Sequence, residues 1–170
     1  MFLSVFVLVF ALVFGRCFGW NNSSLLRMSR HAKFNPASAP LNPMQGLHLT
    51  ADLFDCACDS AWLTNAEQLG AHCLSAVSAA GLQPVNQVFH TFPATAQGLG
   101  GVTASILIAE SHLCVHTWPE QAAVTLDVYV CNFGGDHSAQ AQALMAALLL
   151  LFQAGRVSRR ALQRGVISAS

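Results

Sequence analysis

Charge is what this 170-residue chain has least of. Asp, Glu, Lys and Arg together make up 9%, against about 25% in an average soluble domain. Cations are missing from its middle altogether. Every Lys and Arg lies at or before Lys33 or at or after Arg156. All eight carboxylates lie between: Asp52, Asp55, Asp59, Glu67, Glu110, Glu120, Asp127 and Asp136. A central body with no fixed cation weighs against nucleic acid, whose phosphates need Lys and Arg. It suits a cationic ligand. Lys33 is the single lysine, so the body has no group for a pyridoxal phosphate Schiff base, and no Gly-rich phosphate cradle sits beside a basic residue. That cofactor is not expected. Six cysteines, at 17, 56, 58, 73, 114 and 131, have no pairing rhythm. Cys56-Ala-Cys58 has no second close pair at zinc-finger spacing, so no metal is expected and the thiols read as reduced and mostly buried.

Apolar residues are abundant, at 54%. So apolar a chain needs an oligomer interface or a membrane contact to cover its surface. The run MFLSVFVLVFALVFG at residues 1–15 is short for a membrane span of about 20 residues. It has neither the positive flank nor the small-residue cleavage site of a signal peptide. A Ser-, Asn- and Pro-rich linker follows, and a domain-like pattern opens only at Met44. Residues 1–43 thus read as an apolar leader plus a disordered linker. An anchor, a cleaved leader and a start assigned too early are the alternatives, and the last, with Met44 as the start, is favoured; a membrane role and export are then not expected.

From Met44 the periodicities resolve into elements. Residues 46–54 alternate as a half-buried strand, with Leu47, Leu49, Ala51 and Leu53 on one face and His48, Thr50 and Asp52 on the other. Residues 64–81 form an amphipathic helix that Thr64 or Asn65 can cap and Gly81 can stop. A strand over 83–92 leads into a Pro- and Gly-rich loop. VTASILIAE is a buried strand, SHLCVHTW continues or pairs with it, and Pro119 breaks the run. VTLDVYVC is a further strand, Asp136-His137-Ser138 opens a second helix to about Phe152, and a basic tail ends the chain as a strand or loop. Short links between strands imply antiparallel pairing. The fold class is therefore α+β, a two-layer sandwich with helices on one face of a largely antiparallel sheet.

The reactive side chains concentrate in AESHLCVHTWPE, residues 109–120. A serine hydrolase does not fit: Ser111 lacks the Gly-x-Ser-x-Gly elbow and sits beside a carboxylate that would repel an oxyanion. A body without lysine can still supply an electrophilic carbonyl. Ser111 can attack the carbonyl of Glu110 and convert the amide to an ester. Elimination then expels the Glu110 carboxylate, and the dehydroalanine left behind takes up water and loses ammonia to become a pyruvoyl group. The route needs a strained turn and an acid/base group; His116, five residues on and beyond a tight stretch, is of the residue type that serves as one near neutral pH.

ESHLCVHTWPE resembles the self-cleavage signature of the bacterial and archaeal S-adenosylmethionine decarboxylases. GLHLTADLFDC, FHTF, GGVTASILIAESH and LDVYVC extend the resemblance over about residues 44–155. It implies a self-cleaving, pyruvoyl-dependent decarboxylase of S-adenosylmethionine that serves spermidine synthesis in the cytoplasm. The cut falls between Glu110 and Ser111, giving a β chain over 44–110 and an α chain over 111–170. The processed protomers pair as a homodimer or higher assembly. Ser111 becomes the pyruvoyl that forms the Schiff base with substrate. His116 is the processing acid/base, Thr103 supports processing, and Cys131 protonates the product carbanion. Glu120 binds the ribose hydroxyls and Phe92 stacks on adenine. A pyruvoyl decarboxylase of arginine or ornithine, and a binding or regulatory subunit that never processes, are the alternatives. The chain departs from the family pattern at four places. A PATAQGLG insertion follows Phe92, Gln121-Ala122-Ala123 replaces a usual Tyr-Gly-Tyr, Ala104 stands where glycine is common, and Asn132 follows Cys131 where glycine is usual.

Overall fold

The structure is a computed structural model that describes residue 42, residues 44–96 and residues 98–166. The leader reading of residues 1–15 and nearly all of the linker lie outside the described residues. Ten elements follow in order: β1 (Gly46–Cys56), α1 (Ala61–Thr64), α2 (Ala66–Ala79), β2 (Pro84–Thr91), β3 (Val102–Ile108), β4 (Ser111–Trp118), a 3₁₀ turn (Pro119–Gln121), β5 (Ala123–Cys131), α3 (Ser138–Phe152) and β6 (Ala154–Arg164). The six strands make one sheet in the order β2-β3-β4-β5-β1-β6, and every neighbouring pair is antiparallel. This is the expected α+β two-layer architecture.

Alternation along the strands builds the core. Val102, Ala104, Ile106 and Ile108 of β3, Leu113 and Val115 of β4, and Val124, Leu126, Val128 and Val130 of β5 are all buried on one face. They meet Leu69, Cys73 and Val77 of α2 and Ala141, Leu144, Leu148 and Phe152 of α3, which recur at the three- and four-residue spacing of a helix stripe. Asn65 rather than Thr64 caps α2: its side chain accepts from the N–H groups of Glu67 and Gln68 at 3.0 and 3.1 Å. Gly81, at φ +79°, follows the helix end in a backbone region that side chains avoid.

Two boundaries sharpen the sequence reading. The segment SHLCVHTW does not continue β3. It turns back after Ala109-Glu110 and pairs with it, Ile108 opposite Ser111 and Thr103 opposite His116. The basic tail is a full edge strand, pairing Thr50 with Arg160 and Gly46 with Arg164. The second face of the sheet carries His48, Thr50, Asp52, Thr103, Ser105, His112, Cys114, His116, Thr125, Asp127 and Tyr129, the alternate members of β1, β3, β4 and β5. No helix among the described residues covers it.

Candidate active site

The reactive groups lie at two ends of this uncovered face. At one end is the Ala109-Glu110 turn. Glu110 presents its carbonyl oxygen to the backbone N–H of Cys131 at 2.9 Å. That donor polarises the carbonyl and would meet the negative charge of an attack on it. Ser111, the first residue of β4, supplies the adjacent hydroxyl. Register fixes the arrangement, since Ser111 pairs with Val130 across β4 and β5 and so brings Cys131 alongside the turn. Glu110 Oε2 also accepts from the Gln83 N–H at 3.4 Å. Neither turn residue is in the left-handed region, so the strain expected here is not stored as a positive φ.

At the other end is a cavity of about 810 Å³ whose lining includes Phe92, Thr103, His116, Trp118 and Glu120. Thr103 Oγ1 lies 2.8 Å from His116 Nδ1, as their direct pairing across β3 and β4 requires. His116 and Trp118 are tilted rings 6.3 Å apart. Phe92, half exposed, meets His90 edge-on at 5.0 Å. The cavity exists because Gly100 and Gly101 let chains close in: a Cβ on either would sit 1.9 Å from the Phe92 carbonyl oxygen or 2.0 Å from that of Thr117. Thr117 anchors the floor. Its buried hydroxyl donates to the Leu63 carbonyl at 2.6 Å and accepts from the Val102 N–H at 2.7 Å.

Glu110, Ser111 and Cys131 are therefore brought together, and so are Phe92, Thr103, His116 and Glu120. The two sets are not. Five residues of extended strand separate Ser111 from His116, roughly 16 Å at the rise of a β-strand. The expectation that His116 works just beyond a tight stretch is not met within one chain, because that stretch is a regular strand. Two of the departures acquire a physical meaning. Ala122 has φ 45° and ψ 45°, a left-handed conformation that glycine would hold more cheaply. Ala104 faces the helices, away from the cavity.

Sequence reasoning gave no role to the groups between the two ends. Asp127 Oδ1 lies 2.6 Å from His48 Nε2 and 3.6 Å from His112 Nε2, and Ser111 Oγ lies 3.2 Å from His112 Nδ1. Parity would have found them: His112, Cys114 and His116 alternate on β4, as do Thr125, Asp127 and Tyr129 on β5. Among the described residues no His, Cys, Asp or Glu group is placed to hold a metal ion.

Fold and site define a two-layer α+β protein whose candidate reactive groups gather at two ends of the bare sheet face. Comparison with known proteins makes the class specific. The family model for S-adenosylmethionine decarboxylase matches residues 47–165, and the chain belongs to that family. Among its relatives, the S-adenosylmethionine decarboxylase proenzyme of Persephonella marina is 32% identical over 122 residues, which are 72% of this chain and 84% of the relative. That of Parasynechococcus marenigrum is 37% identical over 100 residues, 59% of this chain and 70% of the relative. The crystal structure of the adenosylmethionine decarboxylase from Aquifex aeolicus superposes with a TM-score of 0.63 at 28% identity, covering 76% of this chain and 98% of that one.

Proposed function

We propose that the chain is a proenzyme that cuts itself between Glu110 and Ser111, converts Ser111 to a pyruvoyl group, and decarboxylates S-adenosylmethionine in the cytoplasm. The observation that carries this reading is the Glu110 carbonyl, held by the Cys131 N–H at 2.9 Å next to the Ser111 hydroxyl. It is an electrophile, an oxyanion donor and a nucleophile on one turn. The β chain is 44–110 and the α chain 111–170. The pyruvoyl carbonyl supplies the electron sink for loss of CO₂. Cys131 returns the proton to the α-carbon. In the cavity, Phe92 and Trp118 offer aromatic faces to the adenine, and Glu120 offers a carboxylate to the ribose hydroxyls. The cationic sulfonium suits a lysine-free, acidic body.

The working unit is a homodimer whose bare sheet faces meet. Two-fold pairing with the strands reversed lays the Ser111 end of one chain on the His116 end of the other. Such pairing is isologous, so the contact is made twice and yields two sites. Each site then joins Ser111 and Cys131 of one chain to Thr103, His116, Glu120 and Phe92 of its partner. This resolves the separation of roughly 16 Å along β4.

Intact mass of the purified protein, wild type beside Ser111→Ala, tests the reading. Two fragments split at Glu110/Ser111 are expected in wild type, the second blocked at its N-terminus and lighter by one ammonia than a serine-started chain. An uncut wild-type chain would remove the pyruvoyl, and the decarboxylase with it.

A further inference from the structure

We infer that His112 is the base for the first step of self-cleavage, held in the required tautomer by Asp127 and, behind it, His48. The inference rests on the self-processing reading above and adds a residue to it. The four groups form a line that starts at the turn end of β4 and runs across the bare face. Ser111 Oγ is 3.2 Å from His112 Nδ1, His112 Nε2 is 3.6 Å from Asp127 Oδ1, and the same oxygen is 2.6 Å from His48 Nε2. A carboxylate facing Nε2 favours the proton there, which leaves the Nδ1 lone pair facing the Ser111 hydroxyl. The neighbours fix the ring. Tyr129 lies 5.8 Å from His112 and 5.4 Å from His48 between ring centroids, and the Arg164 guanidinium caps Tyr129 at 4.6 Å.

The step balances within the chain. As Ser111 Oγ bonds to the Glu110 carbonyl carbon, its proton passes to His112 Nδ1. The charge on the Glu110 oxygen is met by the Cys131 N–H, 2.9 Å away. The carbon–nitrogen bond then breaks and His112 returns the proton to the Ser111 nitrogen, now an amine. A C–O bond has replaced a C–N bond, and no co-reactant is consumed. His116, roughly 16 Å along the same strand, does not reach this oxygen in its own chain, whereas His112 is already beside it. The His116 that the proposed dimer brings to Ser111 is the partner's, and its share is the later elimination, in which it takes the α-proton of Ser111 as the Glu110 carboxylate leaves. His112 touches the reacting atom; Asp127 and His48 are positioning residues.

The two steps separate in an experiment on newly made full-length chain, read by intact mass before and after hydroxylamine, which cleaves an ester and spares an amide. His116→Ala is expected to accumulate the ester, so that hydroxylamine cuts it. His112→Ala is expected to stay an amide, with ester formation slowed about 100-fold, the usual worth of a positioned acid/base group. Imidazole added to His112→Ala restores part of the rate, which it would not do for a merely structural loss. Asp127→Asn slows the same step about tenfold, as loss of a group that orients a functional histidine does. His112 is partly exposed on a face that no described helix covers, so its loss empties no core position; circular dichroism of the variant checks this. Ester formation at the wild-type rate in His112→Ala, or a slow rate that imidazole leaves unmoved, overturns the role of His112 and leaves self-processing standing. A wild-type chain that never cuts overturns self-processing itself.

Discussion

Cys131 has two parts in the proposed reaction, through different atoms. Its backbone N–H holds the Glu110 carbonyl, whereas its thiol is the proton donor proposed for decarboxylation. Replacing the side chain should therefore split the two activities. Cys131→Ala is expected to cut itself at close to the wild-type rate, because the peptide N–H remains. Release of CO₂ from S-adenosylmethionine should fall about 100-fold, because a general acid is lost. Mass spectrometry reads the first and a carboxyl-labelled substrate the second. A chain that fails to cut would mean that the thiol, and not the N–H, serves cleavage. The sequence made Ser111 and His116 legible as candidate reactive residues, because they stand out in an apolar strand pattern; Cys131 entered only through the family resemblance. It left His112, Asp127 and His48 without a role, because their relation runs across three strands and depends on register.

Among the elements, a buried face helped but was not required: β2, read from the sequence as a strand over 83–92, is mostly exposed. Alternation marked β1, whose inner residues are buried along with those of β3 and β5. It left β6 undecided between strand and loop, since nearly every residue from Ala154 to Arg164 is exposed and no apolar period marks a face. Helix α2 carries a prediction of its own. Its Cys73 is fully buried under the sheet, and burial pushes the thiol from an ordinary 9.0 up to about 12. The folded chain keeps that proton above pH 9 while the unfolded chain loses it. The contribution of Cys73 is thus intact below pH 9 and is lost as pH rises toward about 12. Between pH 7 and pH 10 wild type should lose on the order of 1 kcal/mol more stability than Cys73→Ala, the worth of about one pH unit across that window. Urea unfolding of both proteins at the two pH values measures the difference, and groups common to both cancel. Equal losses would show that the thiol ionises in place or that the helix opens before it does.

At the scale of the whole molecule, the bare sheet face and the divided site ask for the same remedy, a second copy. Either feature alone has another explanation. A bare face can belong to any oligomer, and two distant reactive clusters can belong to two functions. On the proposed homodimer, together they say which ends would meet, and that makes the arrangement testable without a structure of the dimer. Ser111→Ala lacks the residue proposed to become the pyruvoyl but keeps His116; His116→Ala keeps Ser111 but lacks the base proposed for the elimination. Each homodimer is dead on either account of the site. In a mixed dimer with a shared site, one of the two sites combines the intact Ser111 with the partner's intact His116, and the other lacks both. Random pairing makes half of the dimers mixed, so co-expression should recover about a quarter of the wild-type decarboxylase activity. Cut chains should then carry only the His116→Ala substitution, which mass spectrometry distinguishes. If each site were built from one chain, no dimer would hold a complete one, and the mixture would be as inactive as its parents. Recovery of activity would thus assign His116 to the partner's site, and its absence would require β4 to bend by some 16 Å to serve its own serine.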